Sequence, residues 1–158
     1  MTATMTTMKL IAAHADSTGA TGSNTLEIAN TEDPRAVSLA GVTRIDLNFP
    51  KFTDGRAYSQ AFLLRRRLGF TGEIRATGDV LIDQLVQMER SGFSVAVLRA
   101  DQNLAFAQAQ FERYTAFYQG DAVTVQPNFV NNPQASAALN HAAAGFLQPG
   151  ASQPGAYL

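Results

Sequence analysis

Short apolar strand patterns alternate with amphipathic helix patterns through the middle of the chain, and this alternation constrains the fold more than any other feature. Strands are predicted at residues 26–30, 43–49, 73–77, 94–99 and, more briefly, 123–125. Helices are predicted at residues 34–41, 54–68, 79–90 and 104–118. Strands that alternate with helices across short connections form right-handed parallel βαβ units. The expected fold class is therefore α/β.

The length of the chain limits how far such a sheet can extend. At 158 residues the chain matches a single domain. Four or five βα units fit, which indicates an open parallel sheet or a partial barrel, because a closed eight-unit barrel usually takes about 250 residues. We expect a flexible N-terminal segment at residues 1–25, the α/β domain at 26–130 and an extended C-terminal tail at 131–158, either disordered or packed on a neighbouring subunit.

Composition excludes several classes of function. The chain has no cysteine, so it can form neither a disulfide nor a thiolate-held iron–sulfur cluster. Its net charge of −1 gives no general attraction to nucleic acid. The N-terminal residues lack an apolar run long enough for a signal core or a membrane span, which predicts a cytoplasmic protein. His14 and His141 have no metal-like spacing, so we expect no metal and no cofactor.

Charged residues follow the predicted strands, where ligands of parallel sheets usually bind. The candidate anion-binding residues are Lys51, Asp54, Arg56, Arg75, Asp79 and Arg99. In one interpretation, Arg56, Arg75 and Lys51 hold a small anion with help from the N–H groups that begin the following helices. In the other, Asp54 and Asp79 cap helices and pair with the arginines. No catalytic residue can be named, and whether the chain is an enzyme stays open.

The last predicted helix carries aromatic residues on more than one face, namely Phe106, Phe111, Tyr114, Phe117 and Tyr118. A helix that covers a sheet on one side needs only one apolar face. The pattern therefore indicates either a subunit interface, as in a homodimer or higher homo-oligomer, or additional core packing.

Several ordered motifs give the chain a resemblance to a known family. They are FPKFTDGRAYS at 49–59, Leu64 with Arg65, GEIRATGD at 72–79, Asp83 with Gln84, and Gly92 with Phe93. Together they resemble domain-of-unknown-function family 934, whose members are described as involved in sulfite reduction.

The resemblance implies a pathway rather than a reaction. It suggests a noncatalytic accessory protein of assimilatory sulfite reduction, with sulfite reductase or another sulfate-assimilation enzyme as partner. The alternative is a small anion-binding protein or enzyme that uses the charged residues above. The description oxidoreductase, often attached to this family, agrees poorly with a chain that has no Gly-x-Gly-x-x-Gly turn and no cysteine.

Overall fold

The computed structural model describes residues 8–15, 22, 24–113, 117–127 and 130. They form an open five-stranded parallel sheet with three helices, which confirms the α/β fold class. The strands are β1 (Lys9–Ala12), β2 (Thr25–Ile28), β3 (Arg44–Phe49), β4 (Glu73–Gly78) and β5 (Val95–Leu98). The helices are α1 (Arg56–Arg66), α2 (Leu85–Ser91) and α3 (Leu104–Gln110).

The strand order is β1-β5-β4-β3-β2, so the chain winds in one direction from β2 to β5 and β1 lies beside β5. All four pairings are parallel. Right-handed crossovers that progress in one direction place their helices on the same face of a sheet. The helices therefore pack side by side, with α1 in contact with α2 and α2 in contact with α3.

Strand β1 is the element that the sequence analysis missed. It falls within residues 1–25, the segment that was separated from the predicted domain. Lys9 to Ala12 pair with Val95 to Leu98, and the Lys9 N–H donates to the Ser94 carbonyl at 3.0 Å. Four residues are too few to predict a strand from a sequence pattern. What holds them in the sheet is pairing with β5, which is distant in sequence.

The helices are shorter than the sequence predicted, for local reasons. The predicted helix at 34–41 is one 3-10 turn, Pro34–Ala36, capped by the Asp33 side chain as proline after aspartate suggests. The one at 79–90 begins late, because Val80 is buried and Leu81 is extended. A 3-10 turn at Ile82–Gln84 then leads into α2.

Two predictions near the end of the domain are also corrected. Helix α3 ends at Gln110 instead of extending to 118. Residues 123–125 form no strand; they lie in a loop in which the Asp121 N–H donates to the Thr124 carbonyl at 2.7 Å. β1 already occupies the sheet position beside β5 that a further strand would take. The predicted tail at 131–158 lies outside the described residues.

The core lies between the helices and one face of the sheet. Ile45, Leu47 and Phe49 alternate along β3 and are fully buried. They pack in one cluster with helix residues that include Leu64 and Met88. Because side chains alternate along a strand, the other positions form a second face, which carries much of the charge of β3 and β4.

Arg65 closes the amino-terminal end of this core. Its guanidinium donates to the carbonyls of Phe70, Gly72 and Gly92 at 2.7 to 2.8 Å. Burial lowers the pKa of this guanidinium below its ordinary value. A residue that reads in sequence as the charged end of a helix therefore joins α1 to the loops that begin β4 and β5.

Candidate functional site

Five of the six predicted site residues come together at one edge of the sheet. Parallel strands end at the same edge, so the loops that follow β3, β4 and β5 are neighbours. The loop after β3 carries Lys51, Asp54 and Arg56, while Asp79 follows β4 and Arg99 follows β5. We call this the carboxyl edge.

Arg75 lies elsewhere. It is the third residue of β4, on the second face of the sheet, and its Cα pairs with those of Asp46 and Val95. The guanidinium bonds to Glu73 Oε1 at 2.8 Å rather than to Asp79. It is 7% exposed. The structure thus separates Arg75 from the other five residues.

One group at the carboxyl edge surrounds Asp54. The Arg56 guanidinium bonds to both carboxylate oxygens, at 3.0 and 2.7 Å, and the Arg56 N–H donates to the same carboxylate. The Asn30 amide adds a bond of 2.7 Å from the loop after β2. These contacts, with Arg56 first, lower the pKa of Asp54 to about 2. Asp54 therefore stays ionised and links two loops to the start of α1.

A second group surrounds Asp79. Its carboxylate accepts a bond from Arg99 at 2.6 Å and one from the Phe52 N–H at 2.8 Å. Arg99 also bonds to Asp101 at 2.6 and 2.7 Å. The hydrogen bonds, that from Arg99 above all, lower the pKa of Asp79. The expected capping role is wrong, because Asp79 precedes the helical turn and instead holds the loops after β3 and β5 together.

The six candidate residues do not include those that complete these groups. Asn30 and Asp101 supply side chains, Phe52 supplies its backbone N–H, and Gln84 donates to the Phe52 carbonyl at 2.7 Å. The part of these groups that the sequence indicates is an ion pair between an acidic residue and an arginine two positions apart. This spacing recurs as ion pairs at Asp33/Arg35, Arg44/Asp46, Asp54/Arg56, Glu73/Arg75 and Arg99/Asp101.

The chemistry available at the carboxyl edge is limited by this pairing. Arg56 and Arg99 are already bound to carboxylates, and Lys51 is exposed and forms no ion pair with the described residues. Within the described part of the chain, no group of three histidine, cysteine or acidic side chains could hold a metal ion. At this edge, ion pairs and hydrogen bonds join the loops that follow β3, β4 and β5, and Lys51 lies beside them.

The predicted aromatic helix separates into exposed and packed parts. Phe106 on α3 is 67% exposed, whereas Phe111 packs against the core. Phe117 lies outside α3, with the Arg90 guanidinium 4.1 Å from its ring centre. Tyr114 lies outside the described residues, and Tyr118 is exposed in the loop that follows. Core packing therefore applies to Phe111, and a subunit interface at the exposed residues stays a prediction.

Comparison with known proteins gives one family. A family model described as "Bacterial protein of unknown function (DUF934)" matches residues 25–129, which confirms the resemblance seen in the motifs. No curated protein matches the chain. No solved structure matches it. Among the described residues, no helix has the length and apolar character needed to cross a membrane.

Proposed function

We infer the function from one premise: the chain belongs to the DUF934 family of bacterial proteins. We propose that it is a noncatalytic accessory protein of assimilatory sulfite reduction and acts through protein–protein contacts. The pathway part of the proposal depends on the motif resemblance at 49–59 and 72–79. The noncatalytic part depends on the geometry of the carboxyl edge.

Mutual neutralisation of charge at the carboxyl edge is the observation that carries the proposal. General acid or base catalysis works best with a group whose pKa lies near the pH of the reaction. Here Arg56 lowers the pKa of Asp54 to about 2, and Arg99 lowers that of Asp79. Both carboxylates are thus held ionised and bonded. This arrangement favours a role in fixing the loops over a role in proton transfer.

Apolar side chains exposed after β5 support the contact function. On α3, Leu104 is 45% and Phe106 67% exposed. In the loop that follows, Val123 and Val125 are at least half exposed. Single exposed apolar residues are common, but clustered ones typically mark interaction sites. We define the exposed side of α3 around Phe106 as the α3 contact surface and propose that it binds a sulfite-reduction enzyme or a second copy of the chain.

Affinity capture with matched variants tests this proposal. A tagged chain is used to capture proteins from cells grown on sulfate, and sulfite reductase is measured in the captured material. The unsubstituted chain should retrieve the enzyme, and Phe106→Ser should retrieve at least about tenfold less, since a lost hot-spot aromatic costs 2 kcal/mol or more. Phe62→Ser changes an exposed phenylalanine on α1 and should behave like the unsubstituted chain.

The capture experiment has clear failures. If the unsubstituted chain retrieves no sulfite-reduction enzyme, the accessory role is rejected. If both serine variants bind as well as the parent, the α3 contact surface is rejected. Light scattering after size exclusion then tests self-association, which Phe106→Ser should reduce if copies of the chain meet through the same surface.

Lys51 gives specific support to a second candidate, the binding of a small anion. Lys51 is exposed and forms no ion pair with the described residues, and it lies in the loop that leads into α1. In thermal denaturation with sulfite, sulfate or phosphate, a ligand at 100 times its Kd should add about 2.7 kcal/mol. Lys51→Met should abolish that shift. No shift with any of the three anions argues against this candidate.

A further inference from the structure

A groove lies at the amino-terminal edge of the sheet, opposite the carboxyl edge. Leu39, Val42 and Thr43 form the side that leads into β3, and residues 68–72 form the side that leads from α1 into β4. The cavity between the two sides has a volume of about 390 Å³. We call it the amino-edge groove. All of its lining residues belong to the described part of the chain.

The apolar part of the groove is open to water. Leu68 is 38% exposed, and Leu39 and Val42 are half-buried. A Cβ added to Gly69 would have no neighbour within 4 Å. The volume lies near the lower end of the range for ligand pockets, about 300–1,000 Å³. It therefore suits one or two apolar side chains better than a large metabolite.

The charge next to the groove is positive. Helix α1 ends at Arg66, and Arg67 follows it directly before Leu68. Both arginines are exposed, and neither side chain forms an ion pair or a hydrogen bond with the described residues. Glu73, which follows the groove in sequence, is already bonded to Arg75 at 2.8 Å. Cations suit the last turn of a helix, but that role does not account for the open apolar groove beside them.

The loop from α1 to β4 also offers backbone donors. The N–H groups of Thr71 and Gly72 donate to none of the described residues. The carbonyls of Phe70 and Gly72, by contrast, already accept bonds from Arg65 at 2.8 and 2.7 Å. Backbone N–H groups and guanidinium groups both donate to carboxylates. Beside its apolar surface, this loop therefore presents donors that suit a carboxylate.

We propose that the amino-edge groove binds an acidic peptide segment of a partner protein. One apolar side chain of the segment lies against Leu68, and its carboxylates lie next to Arg66 and Arg67. Charge complementarity selects this occupant. A second copy that met the same groove symmetrically would bring the arginines of both copies together. A small inorganic anion would pair with the arginines but leave the apolar surface in water.

Binding of defined peptides to the purified full chain tests the proposal. The probe is a pool of short fluorescent peptides with leucine or phenylalanine at the centre and aspartate or glutamate on both sides. One control pool carries lysine in place of the acidic residues, and the other carries serine at the centre. In fluorescence anisotropy with up to about 1 mM protein, the acidic apolar pool should bind at least about tenfold more tightly than either control pool.

Matched arginine variants test the contribution of charge. Arg66→Gln combined with Arg67→Gln should weaken binding of the acidic apolar pool at least about fivefold, because two contacts to carboxylates are lost. Arg35→Gln combined with Arg113→Gln makes the same change in net charge at exposed positions that do not line the groove. This control should bind within about twofold of the parent, because salt screens distant surface charges. Equal losses in the two double variants overturn the proposal.

A second pair of variants tests the apolar contact. Leu68→Ser should weaken binding at least about fivefold, because less apolar surface is removed from water in the complex. Phe62→Ser, at an exposed position on α1, should bind like the parent, and an equal loss in both variants overturns the proposal. Circular dichroism and thermal unfolding check that the variants are folded. If Leu68→Ser does not fold, the arginine variants decide, because their side chains contact no described residue through an ion pair or hydrogen bond.

Methyl NMR of the parent chain identifies where the acidic apolar peptides bind. The signals of Leu39, Val42 and Leu68 should shift, while that of Leu104 on α3 should not. No binding at about 1 mM protein, equal binding of a control pool, or shifts confined to Leu104 overturns the proposal. Groove signals that shift when the chain alone is diluted identify a second copy, and equal shifts with inorganic phosphate identify a small anion; either result also overturns it. The assay contains no sulfite-reduction enzyme, so its failure is distinct from failure of the proposed function.

Discussion

The two faces of the sheet come from the same strands but have opposite chemistry. On the helix-covered face, Ile45, Leu47 and Phe49 of β3 are fully buried. On the second face, the alternate positions of the same strand include Arg44 and Asp46. Parallel sheets are usually apolar on both sides, because helices cover both. The difference shows that β3 contributes hydrophobic packing on one face, whereas on the other face β3 and β4 carry ion pairs.

The charges on the second face follow the strand register. In the register of β3 and β4, Arg44 lies opposite Glu73, and Asp46 lies opposite Arg75. Within each strand, Arg44 bonds to Asp46 and Arg75 to Glu73. Each charge therefore has opposite charges as neighbours both along and across the strands. A shift of one strand by two residues would bring like charges together, so the pattern helps to specify the register.

The largest loss of stability is expected from a substitution on the helix-covered face. Phe49 contacts Tyr58 edge-on, with ring centres 5.2 Å apart, and lies 5.8 Å from Phe93. Phe49→Ala should lower the free energy of unfolding by about 3–5 kcal/mol, because it opens a cavity that cannot fully collapse. Phe106→Ala makes the same change at an exposed site and should alter it by about 0.5 kcal/mol or less. Urea denaturation measures both, and equal losses would contradict this account of the core.

The next largest effect is expected at Gly78, at the carboxyl end of β4. This residue ends β4 with a φ of 89°. A Cβ there would collide with the Asn48 side chain and with the Phe49 carbonyl. Gly78→Ala should therefore cost about 2–3 kcal/mol in unfolding free energy, from backbone strain and collision together. Gly41→Ala is the matched control, since Gly41 also has a positive φ but nothing within 4 Å of the added carbon.

The strain and the collision at Gly78 can be measured separately. Gly41→Ala should show the strain alone, about 1 kcal/mol. Combining Gly78→Ala with Asn48→Ala should recover part of the loss but not all of it, because the carbonyl of Phe49 remains. If the two glycine variants have the same stability, the close approach between β3 and β4 at this edge is not as tight as the structure indicates.

A smaller effect is expected from the charges of the second face. Arg75→Leu leaves Glu73 without its partner at 2.8 Å and should cost about 1–2 kcal/mol, because the Glu73 side chain keeps some contact with water. The double variant with Glu73→Leu should be less destabilised than the two single losses combined. Arg35→Leu breaks an exposed pair of the same spacing and should change stability by about 0.5 kcal/mol or less. Strict additivity in urea denaturation would contradict coupling on this face.

The fold was predictable from sequence where its signals are local. Strands β3, β4 and β5 carry alternating or continuous apolar patterns, and the helix patterns between them indicate parallel pairing through helical crossovers. β1 was not predictable, because its four residues are held by pairing with β5, which is distant in sequence. The start of α2 was predicted too early, because burial of Val80 overrides local helix propensity.

The candidate site was likewise predictable only where its signals are local in sequence. That the loops after the strands meet at one edge follows from parallel topology alone. The pair of Asp54 with Arg56 could be read from spacing, but that of Asp79 with Arg99 spans 20 positions and depends on how the two loops approach. For Arg75, alternation predicts only that it lies on a face. Which face, and how deeply it is buried, is decided by what packs there.

The least effect is expected at the carboxyl edge, because the arginines of its ion pairs are more exposed to water than Arg44 and Arg75 on the second face. The pKa of Asp54 falls from 3.8 to about 2 on folding, so its ionised form favours the folded state. This contribution is fully present above about pH 4 and is lost as the pH falls through about 2. Asp54→Asn should lower the urea midpoint slightly at pH 6, and the midpoints of the variant and its parent should converge as the pH falls from 4 to 2.

Asp33→Asn, at a carboxylate whose pKa is also lowered to about 2 by an arginine two positions away, should show the same convergence without the loss of a bond to Asn30. A constant difference between Asp54→Asn and its parent at every pH would mean that the Arg56 pair does not favour the ionised carboxylate, and the carboxyl edge would then differ from the second face in more than its exposure to water.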